Sequence, residues 1–203
     1  MHKINLGFIL ILFFYKFSFS INIQLDTTFL IPKKIPQGYA GVIKQKFLFK
    51  DNLGSHILLL LRDSTQSKDG TNKITIQAVQ FLLKGADWIS EWNINDFQSC
   101  KDLDISADYF LTQTLISDLD SNGIAESTIT YHTLCAGDIE PETVKTIMRQ
   151  GKEKYAVRGE SLIKIEGSKP EGGKYTIDKI LETKKVFSQK MVSIWKKAAG
   201  IIE

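Results

Sequence analysis

Residues 74–97, "ITIQAVQFLLKGADWISEWNINDF", decide the fold class. The first part, Ile74–Lys84, is rich in β-branched and large apolar residues and shows no helical period, which reads as a long strand. Gly85-Ala86-Asp87 is a turn. In "WISEWNINDF" the alternation predicts a second strand with Trp88, Trp92 and Ile94 on one face. The unit is a strand–turn–strand.

The neighbouring segments repeat this logic. In "GVIKQKFLFK" (41–50), Ile43, Phe47 and Phe49 point one way and Lys44, Lys46 and Lys50 the other, as in a half-buried strand. "DNLGS" is a turn. "HILLLLR" (56–62) is a continuous apolar run, expected as a strand covered on both faces. Polar residues 63–73 read as a loop. Beyond Cys100, "IAESTITYHTL" (124–134) places Ala125, Ile129, Tyr131 and Cys135 on one face, opposite Thr128, Thr130 and His132. Residues 143–159 fit a helical spacing or a hairpin turning near Gly151, and the hairpin is preferred. From Thr176 to Ala199 the pattern changes to a 3.6 period. Ile177, Ile180, Leu181, Phe187, Met191, Ile194, Trp195 and Ala198 form one stripe, with lysines across much of the other face. The expected architecture is mainly β, an antiparallel sheet domain of sandwich or propeller-blade type. One C-terminal amphipathic helix, at about 176–199, packs on it.

The first twenty residues, "MHKINLGFILILFFYKFSFS", have a basic start, an apolar run and small residues at 18 and 20. That is the order of a secretory signal peptide, and it leaves 21–203 as one β-rich domain. An uncleaved anchor is the alternative, but Lys16 interrupts the run. Apart from this leader no membrane contact is expected. The chain has 26 basic and 23 acidic residues, and the leader takes Lys3 and Lys16 with no acid, so the exported part is almost neutral. No basic stripe is interleaved with aromatics, which excludes a nucleic-acid partner. The two cysteines, Cys100 and Cys135, both fall in the exported part and read as one disulfide. A thiol metal site built from Cys100, His132 and Cys135 is the rival; it lacks a fourth ligand and needs reducing conditions.

Residues 117–128, "SDLDSNGIAEST", carry the clearest chemistry. Asp118, Asp120 and Asn122 supply oxygens at alternate positions, Gly123 permits a reversal, and Ile124 (through its carbonyl) and Glu126 follow at positions 7 and 9. Hard oxygen donors at this spacing suit Ca2+. An EF-hand would need a carboxylate at position 12, where Ile129 stands. The loop is instead similar to the calcium loops of integrin-type FG-GAP propeller blades, although Asn122 and Glu126 stand where aspartate is frequent. The bland alternative is an Asn-Gly hairpin turn, which accounts for Asn122 and Gly123 but not for the three acids.

Catalytic signatures are thin. The chain has no G-x-S-x-G elbow, Walker loop or H-E-x-x-H. His56 reads as structural. Asp96, Asp138 and Glu160 are candidate acid and base partners for glycan chemistry, and Trp88 and Trp92 are candidate glycan contacts against a commoner role in a core.

In order, "WNINDFQSC" (92–100), "SDLDSNGIAE" (117–126), "CAGD" (135–138), "KYAVRGE" (154–160) and the helix of Trp195 resemble a family of small exported proteins of Gram-negative bacteria described as surface polysaccharide biosynthesis proteins. The resemblance spans about residues 54–199. It implies a place in the periplasm or at the cell surface and a part in making or presenting surface polysaccharide or lipopolysaccharide. The partner would be an envelope polysaccharide or an envelope protein. It assigns no reaction and no catalytic residue. The expected protein is therefore a non-enzymatic, calcium-stabilised exported β protein. A glycan-modifying enzyme of the envelope, or a protein-binding module such as an inhibitor of a wall-degrading enzyme, are the alternatives.

Overall fold

The computed structural model describes residues 23–202, so the leader lies outside the described residues. Four strands, β1 (Val42–Asp51), β2 (Gly54–Gln66), β3 (Asn72–Lys84) and β4 (Asp87–Cys100), form an antiparallel meander in sequence order. The second sheet uses β5 (Asp104–Tyr109), β6 (Leu115–Ser117), β7 (Glu126–Ala136), β8 (Thr143–Gln150), β9 (Glu153–Glu160) and β12 (Tyr175–Ile177). Its order is β12-β9-β8-β7-β5, and β6 pairs with the start of β7. A two-stranded ribbon, β10 (Leu162–Ile163) and β11 (Glu171–Gly172), precedes β12. Two helices end the chain: a single turn, α1 (Lys179–Glu182), and α2 (Lys185–Ala198). Among the described residues no helix is long and apolar enough to cross a membrane.

The sheets pack face to face as a sandwich. Phe47, Phe49, Leu58, Leu60, Ile76 and Trp92 of the first sheet meet Ala107, Tyr109, Ile129, Tyr131 and Ile147 of the second. Each outer face is covered in turn. Residues Phe29, Ile31, Ile35 and Tyr39 lie over Ile57, Leu59, Leu61, Val79 and Phe81. That explains why "HILLLLR" has no polar face: β2 is covered on both sides, as expected. On the far side Leu181, Phe187, Met191 and Trp195 close over Val144, Met148, Tyr155 and Val157. Trp195 is fully buried and donates its indole N–H to the Val144 carbonyl at 2.9 Å. Gly159 makes this approach feasible, because a Cβ there would stand 2.8 Å from the Trp195 ring and 2.0 Å from the Lys174 carbonyl oxygen.

The hairpin at 143–160 is present, turning through Gly151. The helix is shorter than the 176–199 stripe predicted. Tyr175–Ile177 instead pair with β9, which satisfies their backbone in a sheet, and the helical path is broken at Thr183–Lys184. Residues 63–66 and 72–73, expected in a loop, extend β2 and β3. On the polar face of β7, Thr128 and Thr130 are fully buried beneath the helical layer, where the Thr130 and Thr146 hydroxyls pair at 3.0 Å, and His132 is half-buried.

Two bulges overturn face assignments. The register shifts between Ile43 and Gln45, so Lys44 is the extra residue; Ile43 pairs with Leu61 and leaves the face of Phe47 and Phe49. On β4, Gln80 pairs with Trp92 but Phe81 pairs with Ser90, so Glu91 is extra. Trp92 and Ile94 therefore face the inter-sheet core, whereas Trp88 joins the outer cluster with Val79 and Phe81. Period-2 counting fails across one inserted residue.

Candidate metal loop and the buried polar cluster beside it

The disulfide Cys100–Cys135 is formed, with the Cα atoms 5.7 Å apart, and among the described residues no free cysteine remains. It ties the end of β4 to β7, one sheet to the other. Both sulfurs are thereby removed from metal binding.

Between β6 and β7 the chain folds tightly on itself. Ser121 and Gly123 adopt positive φ, 55° and 83°. The glycine's freedom was expected; that of Ser121 was not. One oxygen of Asp118 accepts the Asn122 N–H at 3.0 Å and the other the Gly123 N–H at 3.1 Å. The Asn122 side-chain oxygen accepts the Ile124 N–H at 2.7 Å. Glu126, the first residue of β7, is fully buried; it accepts from the Leu119 N–H at 2.7 Å, from the Ser117 hydroxyl and from the Gln150 amide. Gln150 also reaches Asp120. Carboxylate oxygens of Asp118, Asp120 and Glu126 lie within 4.8 Å of one another. Among the described residues no lysine, arginine or histidine stands within 4.0 Å of any of the three. Burial pushes the Glu126 carboxyl up to about 7, and the charges of Asp120 and Asp118 push the same way against the hydrogen bonds it accepts. The arrangement is a set of hard oxygen donors converging on one point, a fit for a metal ion.

The loop is moored to the first sheet. The Gly123 carbonyl accepts the Asn52 N–H, and the Ala125 N–H donates to Asp51 at 2.9 Å. Asp51 leads into a cluster that no motif announced. Its other carboxylate oxygen takes the His56 Nε2–H at 2.8 Å, and His56 Nδ1 lies 3.4 Å from Glu91. Gln80 donates to the same Glu91 oxygen at 2.8 Å and accepts the Ser127 hydroxyl at 2.7 Å. His56 stacks on Phe49 with the rings 4.9 Å apart. Burial alone would push the imidazole down, but the hydrogen bonds to Asp51 and Glu91, with their charges, outweigh it and hold the pKa at about 9. Burial likewise opposes ionisation of the two carboxyls, yet His56 holds both below their ordinary range. His56 is thus an imidazolium between two carboxylates. The Gln80 amide nitrogen 3.3 Å from Nδ1 is then a contact rather than a hydrogen bond, since both nitrogens carry protons.

Compared with known proteins, the chain matches no family model, no curated protein and no solved structure.

The remaining candidates are not drawn together. Asp96 accepts from Tyr131 at 3.0 Å and Lys145 at 2.6 Å, and its carboxyl is held low by Lys145 against the effect of burial. Asp138 is exposed and accepts its own neighbour's N–H, from Ile139, while Glu160 is exposed at the end of β9. Trp88 and Trp92 are 9% and 6% exposed and lie on opposite faces of β4, so they offer no shared platform to a sugar. His132 is half-buried 3.2 Å from Glu142. The one signal that could have revealed the His56 cluster is Gln80 within "AVQFLL", a polar residue in an otherwise apolar run.

Proposed function

We propose that the chain is an exported, non-enzymatic β protein whose loop 118–126 holds one calcium ion, and that it acts in the assembly or presentation of surface polysaccharide. The observation that carries the calcium reading is the trio of carboxylates within 4.8 Å of one another; Lys184 and Lys185 line a pocket with Asp120 but, among the described residues, no basic side chain is within 4.0 Å of the trio. Three like charges so placed repel unless a cation neutralises them. Asn122 and the Ile124 carbonyl extend the donor set, and all-oxygen ligation favours calcium over softer metals. The ion's part is structural. It fixes the exit of the loop at Glu126, and through Gly123 and Ala125 it steadies the junction between the sheets. The polysaccharide role rests on the ordered motifs from "WNINDFQSC" to the helix of Trp195.

Thermal melting tests the ion. With calcium at a hundredfold excess over its dissociation constant, wild type should gain about 2.7 kcal/mol over protein in chelator. Asp120→Ala should remove that gain and leave a folded, disulfide-linked protein. Magnesium and zinc, run in parallel, should give smaller shifts. A melting temperature indifferent to calcium, with no heat of binding, would leave only a polar turn. For the wider role, a strain lacking the protein should show an altered gel profile of surface polysaccharide; an unaltered profile would remove that part of the proposal.

A further inference from the structure

A groove runs between residues Thr112–Leu115 and α2, lined by none of the site residues described above. Its volume is about 420 Å3, inside the range of about 300–1,000 Å3 usual for small-molecule sites. Lys190 and Lys197 line it from positions two turns of the helix apart, about 10 Å along the axis at 1.5 Å per residue. Among the described residues neither has an acidic partner within 4.0 Å. The fourteen residues of α2 hold four lysines and no acid, so nothing on the helix offsets them. Thr112, Gln113 and Ser193 add exchangeable donors and acceptors, and Leu115, Ile194 and Ile202 an apolar strip. Thr114 completes the wall on the side facing the helix.

We propose that this groove binds an anionic saccharide, with Lys190 and Lys197 holding its carboxylate or phosphate groups and Thr112, Gln113 and Ser193 its hydroxyls. The mixture matches that ligand class. A sugar presents hydroxyls to polar side chains and a C–H face to apolar ones, and its acidic groups answer the two lysines. The choice of a sugar rests on the polysaccharide part of the proposed function; the groove and its positive charge do not.

The test is an amide-shift titration of the calcium-loaded protein with tetragalacturonate and with glucose 6-phosphate, which separate a carboxylate from a phosphate. Maltotetraose serves as the neutral sugar and inorganic phosphate as the charge without a sugar. At least one anionic sugar should move the amides of 112–115 and 190–197 and bind tenfold or more tightly than either control. Lys190→Gln/Lys197→Gln should weaken it tenfold or more, whereas Lys68→Gln/Lys101→Gln, an equal loss of charge at exposed sites elsewhere, should change it less than twofold. The proposal is overturned if inorganic phosphate binds as tightly, if both double variants behave alike, or if the shifts fall outside the groove. Silence to every sugar, with sedimentation onto vesicles one-third phosphatidylglycerol, would overturn it in favour of a lipid surface. Maltotetraose binding away from the groove would overturn it while keeping the polysaccharide role.

Discussion

Two polar clusters stand side by side at one end of the sandwich, and β7 passes through both. At the acidic loop, Asp118, Asp120 and Glu126 come from one short stretch and have no cation among them. In the His56 cluster, Asp51, His56, Gln80, Glu91 and Ser127 come from five different strands, and an imidazolium sits between the two carboxylates. The first cluster has, among the described residues, no basic side chain within 4.0 Å. The second is complete within the fold. Acids gathered at one end of the fold thus stand in two settings: without a salt-bridge partner in the loop, and with a cation built in between them in the His56 cluster.

The difference has measurable consequences. Removing the built-in cation should do the greatest damage. His56→Ala leaves Asp51 and Glu91 buried and facing each other, and loss of one member of a buried ion pair costs about 3–5 kcal/mol. Urea unfolding at pH 7 measures it; a loss below about 1 kcal/mol would mean that water enters and the cluster is not a closed unit. Asp120→Ala, by contrast, should cost little in chelator.

Alkali should give the next largest effect. The pKa of His56 is raised from 6.5 to about 9, so its contribution is full below pH 6.5 and drains away as pH rises through 9. Asp51 and Glu91, held below 3.8 and 4.5, act in the opposite sense: their contribution is present above those values and is lost in acid. Between pH 7.5 and 10 wild type should therefore lose about 2 kcal/mol relative to His56→Ala, since each tenfold change in proton affinity is worth about 1.4 kcal/mol. Parallel stability curves for the two proteins over that range would refute the imidazolium. The window lies above the value of about 7 for Glu126, which separates the two clusters.

The smallest change probes the seam between them. Ser127→Ala removes the hydroxyl that Gln80 accepts and should cost about 1–2 kcal/mol by leaving a buried amide oxygen unsatisfied. Its calcium-dependent gain in melting temperature should equal that of wild type if the clusters are independent. A gain altered by more than about 0.5 kcal/mol would show that they are energetically joined.

These contrasts also explain what the sequence discloses. Local spacing is legible: the oxygens at 118, 120, 122 and 126 lie in one reversal, the turn at Gly151 divides two alternating runs, and the stripe through Phe187, Met191 and Trp195 has a helical period. The mainly β, antiparallel class with a C-terminal helix follows from such patterns; the choice of a sandwich over a propeller blade does not. Inserted residues are not legible. Lys44 and Glu91 look like ordinary members of alternating strands, yet each turns the residues before it to the other face, and Trp88 parts from Trp92 for that reason. Layers are also hidden, because Thr128 and Thr130 look solvent-facing until the helices lie over them. The His56 cluster is the extreme case, since strand register alone brings its members together.

The disulfide and the acidic loop bracket β7, one near each end, and they grip opposite ends of the first sheet: Cys100 beside Asn72, and the β1–β2 turn at Asn52. The two fastenings differ in what they need. The disulfide closes only where thiols can be oxidised. At the other end the Asn52 and Ala125 N–H groups bond to Gly123 and Asp51 without any outside reagent. Where thiols stay reduced, that end is still fastened, together with the apolar faces and the pairing of Gln80 with Ser127. Part of the molecule's resistance to unfolding is thus set by the redox state around it, and the part at the other end of the same strand is not.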